Sequence, residues 1–238
     1  MLPLDRQNRY RERYRRERPG WRSSGDQFEA LARQRLGPGS RVLDLGCGRG
    51  GVMELLWRDV RFAVGADPDL ASLREHRAGL PLVCARGEAL PFAAESFDVV
   101  IALWVLEHLP QPEVVLQGVR RVLAPGGHFL FLTPNANHPL LLANRFSWAF
   151  PAVQKLLIPR LYGRSEADTF RVRYQANTPA RLRQLAAATG FSLASQRTLS
   201  DPTYLAFSEP GYRVSIWLEK LLPESRYVHI IGDWVRLR

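Results

Sequence analysis

Two side-chain types are almost missing from the 238-residue sequence. Its only cysteines, Cys47 and Cys84, are too few for a disulfide framework, which favours the cytoplasm as the compartment. Lysine occurs only at Lys155 and Lys220, so nearly all of the 33 basic residues are arginines. No apolar run reaches the roughly 18 residues of a membrane-spanning helix. The arginine-rich N-terminus lacks the apolar segment of a secretory signal. We therefore expect a cytoplasmic protein.

The net charge of +10 is distributed unevenly along the chain. Basic residues outnumber acidic ones by eight to three in 1–25 and by fourteen to seven in 136–238, whereas 26–135 has eleven against thirteen. Because a bias toward arginine over lysine reflects codon composition more than function, we expect no nucleic-acid partner. The basic flanks can attract an anionic small molecule or contact an anionic membrane surface. Solvated arginines that keep the chain soluble explain them equally well.

Strand and helix patterns alternate between residues 40 and 135. Apolar segments predict strands at Val42–Leu45, Arg61–Ala66, Leu82–Ala85, Phe97–Leu103 and His128–Thr133. Helices are predicted between them at Gly51–Trp57, Asp69–Ala78 and Glu113–Leu123. The central strands are apolar on both faces, which indicates a parallel sheet covered by helices. The predicted fold class is α/β: a doubly wound, mostly parallel Rossmann-like sheet of about seven strands, with an antiparallel C-terminal edge and helices on both faces.

We treat 1–238 as a single domain with four parts: an N-terminal helical arm at 1–39, a core at 40–135, a helical insertion at 136–177 after the fifth strand, and the C-terminal part of the sheet at 178–238. The second helix of the arm is predicted to begin with Ser24 or Asp26 as its N-cap. In the last part we predict a helix capped by Thr178, strands at Phe191–Thr198, Tyr204–Phe207 and His229–Leu237, and a helix across Val214–Leu222.

The stretch "RVLDLGCGRGG", residues 41–51, is the most informative segment of the core. Gly46, Gly48 and Gly51 satisfy G-x-G-x-x-G, a pattern typical of dinucleotide-binding turns. A strand that ends in glycines and opens into a helix exposes backbone N–H groups to a ligand. Any Cβ at Gly46 or Gly48 would fill the space that a closely approaching ligand needs. We therefore predict a ligand-binding loop.

Asp67 stands at the end of the next strand, nineteen residues after Gly48. This spacing suits an acid that binds the two hydroxyls of a ribose. The alternative is that Asp67 only caps the helix that begins near Asp69. Its position at the carboxyl end of a strand favours the ribose, and hence a ligand that contains a nucleoside.

Five segments in the same order resemble the class I S-adenosylmethionine-dependent methyltransferases: "VLDLGCGRG", "GADPD", "GEALPFAAESFDVV", "LEHL" and "RRVLAPGGHFLFLTPN". The branch that they resemble includes quinone-biosynthesis and many other small-molecule methyltransferases. The likeness is close over 40–135 and loose over 178–238. It implies S-adenosyl-L-methionine as cofactor, S-adenosyl-L-homocysteine as product and a small-molecule acceptor, with O-methylation favoured over methylation of nitrogen or carbon.

The resemblance also implies which residues bind the cofactor. Asp44 would engage its methionine end, and Asp67 its ribose. Arg86 stands where relatives often have an aspartate, so the Gly87 backbone or the Glu88 carboxylate is expected to contact the adenine. The complete predicted cofactor set is Asp44, Gly46, Cys47, Gly48, Asp67, Pro68, Gly87, Glu88, Leu103 and Trp104.

His108, in "LEHL", is the predicted general base, needed only if the acceptor is protonated at working pH. The equally weighted alternative is that His108 or Glu107 merely fixes the turn. Some quinone O-methyltransferases carry E-x-x-E-H here as a metal-binding element. Because Trp104 replaces the first of those glutamates, we predict no metal.

The arm and the insertion are expected to cover the acceptor site together. Aromatic spacing points to Tyr10, Tyr14 and Trp21, although such a stripe more often docks a helix on a core. A polar or anionic acceptor group is predicted to meet residues from Arg145, Arg171, Arg173 and Tyr174. Each arginine taken singly is better explained as an exposed charge. The apolar, basic insertion is compatible with a lipid-linked, polyketide-like or sugar acceptor, and with peripheral membrane contact.

Two other functions stay open at this point. An NAD-dependent oxidoreductase would use the glycine pattern but gives no role to Asp44 or to the "LPF…FDVV" segment. A protein that binds S-adenosylmethionine without catalysis would retain the whole motif set.

Overall fold

The computed structural model describes residues 3–142, 172–204, 206 and 208–238. They belong to two compact units. The sheet unit comprises 27–134, 172–197 and 230–238, and the helical unit comprises 1–26, 135–171 and 198–229. Within the described ranges, no helix is both long enough and apolar enough to cross a membrane.

The sheet has seven strands and confirms the predicted α/β class. They are β1 (Arg41–Leu45), β2 (Phe62–Asp67), β3 (Leu82–Cys84), β4 (Phe97–Leu103), β5 (Leu123–Pro134), β6 (Phe191–Leu199) and β7 (His229–Arg236). The strand order is β3-β2-β1-β4-β5-β7-β6, with six parallel strands and an antiparallel C-terminal strand. β1 pairs in parallel with both β2 and β4. The order therefore reverses between β1 and β4, and open α/β sheets bind ligands beside such a switch point.

Seven α-helices accompany these strands in the described part of the chain. They are α1 (Pro3–Glu17), α2 (Ser24–Arg35), α3 (Met53–Leu56), α4 (Leu70–Arg74), α5 (Pro112–Val122), α6 (Pro179–Ala188) and α7 (Glu209–Leu221). α3 and α4 are shorter than predicted. Gly50 has a φ of +117°, which delays the start of α3. α4 ends early because the His76 ring hydrogen-bonds to the Ala78 backbone and turns the chain.

Helix caps show where local sequence signals succeed. Thr178 accepts a hydrogen bond from the Arg181 N–H, which confirms the predicted cap of α6. The prediction for α2 was one residue off, because Ser23 is the cap. Its hydroxyl accepts from the Asp26 N–H at 3.2 Å, and the Asp26 carboxylate accepts from the Ser23 N–H at 3.0 Å. This reciprocal pair is a capping box.

The predicted strand at Tyr204–Phe207 is wrong where the structure describes it. Tyr204 lies in a turn whose N–H donates to the Asp201 carbonyl at 3.0 Å, and Ala206 belongs to no strand. Leu205 and Phe207 lie outside the described residues. A short apolar run beside a proline does not distinguish strand from turn.

The core of the sheet unit lies on both faces of the sheet, as the apolar strands predicted. α5 buries Val115, Leu116, Val119 and Val122. On the C-terminal side, Trp234 packs edge-on against Phe131 with ring centroids 4.9 Å apart. A Cβ at Gly232 would collide with the Phe131 ring, so the glycine in β7 makes room for this aromatic cluster.

Candidate active site

The glycine loop lies at the carboxyl end of β1 and is anchored on β2. The Gly46 N–H donates to the Ala66 carbonyl at 2.7 Å, and the Cys47 N–H donates to it at 3.3 Å. Gly46 and Gly48 have φ values of +71° and +48°, where glycine is strongly favoured. The backbone of this loop is therefore fixed by the neighbouring strand.

The two glycines differ in what surrounds them. A Cβ at Gly48 would meet no atom closer than Asp67 Oδ2 at 4.0 Å, so the space beside it is open, as predicted. A Cβ at Gly46 would collide with the Val105 side chain. The prediction that Gly46 clears space for a ligand is therefore wrong. It clears space for the residue after Trp104.

Asp67 is buried and holds the backbone at the end of β2. Its Oδ2 accepts from the Gly48 N–H at 2.9 Å, and its Oδ1 accepts from the Asp69 N–H at 2.8 Å. Asp69, not Asp67, caps α4, because it accepts from the N–H groups of Ala71 and Ser72. Each Asp67 oxygen accepts one hydrogen bond and retains a lone pair, so the carboxylate can still receive two ribose hydroxyls.

Asp44 lies within β1 and is only 5% exposed. Burial, and secondarily the charge of Asp67, raise the pKa of Asp44 from 3.8 to about 7. The same two kinds of cause, with the charge of Asp44 added, raise the pKa of the Cys47 thiol to about 12, so Cys47 is an unreactive thiol. A positive charge next to Asp44 would favour its ionised form. The pair of acids and the open space beside Gly48 therefore fit a ligand that has a ribose and a cationic group.

The predicted adenine contacts lie in the 3₁₀ turn Gly87–Ala89. Gly87 packs against α5, where an added Cβ would lie 3.0 Å from Val115 Cγ1. The Glu88 carboxylate is partly exposed and lies 3.7 Å from Arg86 Nε. Pro68 accepts a weak hydrogen bond at its carbonyl from the Cys84 thiol at 3.6 Å. The contact of these residues with adenine stays a prediction.

The chain turns sharply at the carboxyl end of β4, directly after Leu103. Trp104 has a φ of +61°, which is rare for a bulky residue, and its N–H donates to the Leu132 carbonyl at 2.9 Å. Strained residues of this kind concentrate at functional sites. The 3₁₀ turn Leu106–His108 follows, with the His108 N–H bonded to the Val105 carbonyl at 2.9 Å. His108 is half-buried.

Glu107 belongs to a buried polar network that the sequence analysis missed. Its carboxylate accepts from the Thr133 hydroxyl at 3.0 Å, and that hydroxyl accepts from Asn177 Nδ2 at 2.5 Å. The Glu107 carbonyl accepts from the N–H groups of Arg173 and Tyr174. Burial raises the pKa of Glu107 to about 7 despite the backbone and Thr133 hydrogen bonds. The network joins the ends of β4 and β5 to the segment before α6.

This network bears on the expected absence of a metal. Glu107 is the second acid of the E-x-x-E-H element, and its carboxyl is turned toward β5. Among the residues that the structure describes, no group of three or more His, Cys, Asp or Glu side chains could hold a metal ion. That no metal takes part stays a prediction.

The predicted acceptor residues fall in both units. In the helical unit, Tyr10 stacks on Tyr212 with ring centroids 4.9 Å apart, and Tyr14 lies edge-on to Trp21 at 4.9 Å. Tyr174, in the sheet unit, has a φ of +53°. Arg145 and Arg171 lie outside the described residues. The structure thus brings the three arm aromatics together and places Tyr174 beside Glu107.

Comparison with known proteins agrees with this geometry. Residues 43–131 match the family model described as "Methyltransferase domain". The ubiquinone biosynthesis O-methyltransferase of Hahella chejuensis is 39% identical over 108 residues, which are 42% of this chain and 45% of that protein. The fatty-acid O-methyltransferase of Mycolicibacterium smegmatis is 37% identical over 111 residues, covering 44% and 40% of the two chains. The matched parts therefore span less than half the length of these curated relatives.

A solved structure shows the same fold over most of the chain. The S-adenosylmethionine-dependent methyltransferase from Mesorhizobium loti aligns with a TM-score of 0.58 at 17% identity, covering 87% of this chain and 96% of that one. The matched family and fold indicate S-adenosylmethionine as the cofactor and favour it over NAD.

Proposed function

We propose that this chain, which contains a class I S-adenosylmethionine-dependent methyltransferase domain, transfers a methyl group from S-adenosyl-L-methionine to an oxygen atom of a small molecule. The single observation that carries the proposal is the pair of buried acids, Asp44 and Asp67, at the carboxyl ends of adjacent parallel strands. Open space beside Gly48 lies next to them.

The chain's own residues divide the binding of the cofactor between them. Asp67 would accept hydrogen bonds from the ribose hydroxyls, and Asp44 would attract the cationic methionine end. Leu103 and Trp104 would border that end, while Pro68, Gly87 and Glu88 would flank the adenine. When bound, the cofactor supplies a methyl group that its sulfonium sulfur has already activated. The protein's main task is then to align the acceptor and exclude water.

His108 is the proposed general base for a protonated acceptor. The turn that carries it is held by the Glu107 carbonyl and carboxylate, which bind the segment 173–174 and Thr133. This arrangement supports a fixed position for His108 beside the end of β4. If the acceptor is already ionised at working pH, orientation alone is enough.

The proposed acceptor is small and either anionic or lipid-linked. The excess of basic residues in 1–25 and 136–238 supports an anionic group. The names of two relatives, a ubiquinone biosynthesis O-methyltransferase and a fatty-acid O-methyltransferase, support oxygen as the methylated atom and a lipid-like acceptor. Tyr10, Tyr14, Trp21, Arg145 and Tyr174 are proposed to contact it.

Methyl transfer to a small-molecule extract tests the proposal. The full chain is incubated with methyl-labelled S-adenosylmethionine and an organic extract of bacterial cells, and labelled products are separated and examined by NMR. We expect labelled methyl groups with the chemical shift of O-methyl. Label only on nitrogen or carbon would correct the methylated atom. Tight cofactor binding with no labelled product from polar or lipid extracts would favour the non-catalytic alternative.

A further inference from the structure

The helical unit contains a buried pair of titratable side chains that no step above uses. His138, just after β5, is 2% exposed, and Glu219, on α7, is 8% exposed. His138 Nε2 lies 3.9 Å from Glu219 Oε1, which is too far for a direct hydrogen bond. An oxygen atom placed between them can contact both side chains at normal hydrogen-bond distances.

Several polar atoms in this region have no hydrogen-bond partner. They include both carboxylate oxygens of Glu219 and Nδ1 of His138, together with Nε of Arg11 and Nε1 of Trp21. Ser200 and the Asp201 backbone lie near Glu219 and partly offset the rise in its pKa to about 7, but neither forms a bond of normal geometry with it. Native proteins satisfy nearly all buried polar groups, so a cluster of unsatisfied atoms indicates a missing ligand group or water.

The cluster is lined by aromatic side chains. Burial, together with the charges of Glu219 and Asp201, raises the pKa of Tyr14 against the opposing charge of Arg18, so the Tyr14 phenol and the Glu219 carboxyl are neighbours. Tyr14 in turn contacts the rings of Trp21 and Tyr212. Tyr14 and Trp21 are partly exposed, so this side of the cluster is open to solvent. A flat ring fits among these side chains.

The chemistry of the pair selects the group that it can bind. Glu219 accepts hydrogen bonds when ionised and would repel an anion. Burial lowers the pKa of His138 to about 4, so its ring is neutral and can donate from one nitrogen. A hydroxyl group satisfies both, because it donates to the carboxylate and accepts from the imidazole.

We propose that His138 and Glu219 bind the hydroxyl of a phenolic ligand, with its aromatic ring against Tyr14 and Trp21. The Glu219 carboxylate accepts from the hydroxyl, and the His138 ring donates to the hydroxyl oxygen. This inference rests on the proposed function only where the phenol is taken to be the methyl acceptor. Binding of the phenol does not depend on it.

Catechol is a suitable probe, and veratrole, in which both hydroxyls are methylated, is its control. Saturation-transfer NMR on the full chain without S-adenosylmethionine should show catechol binding at least about tenfold more tightly than veratrole. The Glu219→Leu variant should weaken catechol binding by about tenfold or more. Glu224→Leu removes an exposed carboxyl from the same unit and should leave the affinity unchanged. No binding of catechol, equal binding of veratrole, or full affinity in Glu219→Leu would overturn the proposal.

Two further readings keep the result unambiguous. Glu219→Leu removes an unsatisfied buried carboxyl, so it should fold at least as stably as wild type while losing catechol, which a merely structural residue would not do. If it does not fold, the His138 ring protons of wild type should shift on addition of catechol, and unchanged shifts would overturn the proposal. Titration of the same sample with S-adenosylmethionine separates the two claims, because cofactor binding without catechol binding contradicts only this inference.

Discussion

Two aspartates a strand apart differ in chemistry because their surroundings differ. Asp67 accepts two backbone N–H bonds, which favour its ionised form. Asp44 is buried in β1, and burial next to Asp67 raises its pKa to about 7. One acid is therefore a ready acceptor for hydroxyls, and the other ionises fully only when a cation arrives.

This difference predicts a pH-dependent affinity. S-adenosylmethionine should bind wild type more tightly as pH rises from about 6 to 8, by up to about tenfold per unit below the pKa of Asp44. In Asp44→Asn the affinity should be lower and much less dependent on pH. Calorimetric titration at several pH values measures both, and the variant also corrects for titration of the ligand's amino group. Equal pH dependence in the two proteins would exclude Asp44 from the cationic end.

His108 makes a separate prediction at the residue scale. His108→Ala should lower turnover by about a hundredfold, the lower range for a general base, while cofactor affinity changes little. The pH–rate profile should lose its basic limb at the same time. If turnover survives across the pH range, His108 only shapes the turn.

At the scale of elements, the carboxyl ends of β1, β2 and β4 hold the site through backbone contacts. The glycine loop bonds to Ala66 of β2, and the Gly46 Cα faces Val105 after β4. Glu107 then fastens the loop after β4 to Thr133 of β5. Three elements thus position one another before any ligand binds.

Gly46→Ala tests this arrangement. The added methyl would collide with Val105 and force an alanine into a φ of +71°, so the free energy of unfolding should fall by about 1–3 kcal/mol. Gly39→Ala is the matched control, since an added Cβ there meets nothing within 4 Å. Urea unfolding of both variants measures the difference. Equal stability of the two would contradict the proposed contact.

Glu107 predicts a pH-dependent stability. Its pKa is raised from 4.5 to about 7, so the folded state holds this proton more tightly than the unfolded chain. Relative to Glu107→Gln, wild type should keep its full stability below pH 4.5 and lose it progressively as pH rises to about 7. Unfolding curves of both proteins across this range test the sign. A difference that stays constant or grows in favour of wild type would mean that Glu107 is not buried as described.

Sequence patterns predicted the elements that carry local signals. The apolar strands 42–45 and 97–103, the Thr178 cap and the two acids all follow from periodicity or motif. What could not be predicted depends on partners distant in sequence. Asn177 and Thr133 reach Glu107 across 44 and 26 residues, and no local pattern marks such a network. Likewise, Gly46 alone does not reveal that Val105 occupies the space in front of it.

At the scale of the whole molecule, the sheet unit and the helical unit divide the proposed tasks. The sheet unit contains the acids, the glycine loop and His108, which are proposed for the cofactor and the chemistry. The helical unit contains Tyr10, Tyr14 and Trp21, and the buried pair proposed to bind a phenol. Known relatives match mainly the first of these, over residues 43–131, so the acceptor must be found by experiment.

Calorimetric titration of the full chain with S-adenosylmethionine and, separately, with NADH tests the central claim most directly. We predict that wild type binds S-adenosylmethionine and that Asp67→Ala weakens this binding by about 1–3 kcal/mol, the cost of losing a buried hydrogen-bonding group. NADH should not compete. Preferential binding of NADH, or full affinity for S-adenosylmethionine in Asp67→Ala, would contradict the account.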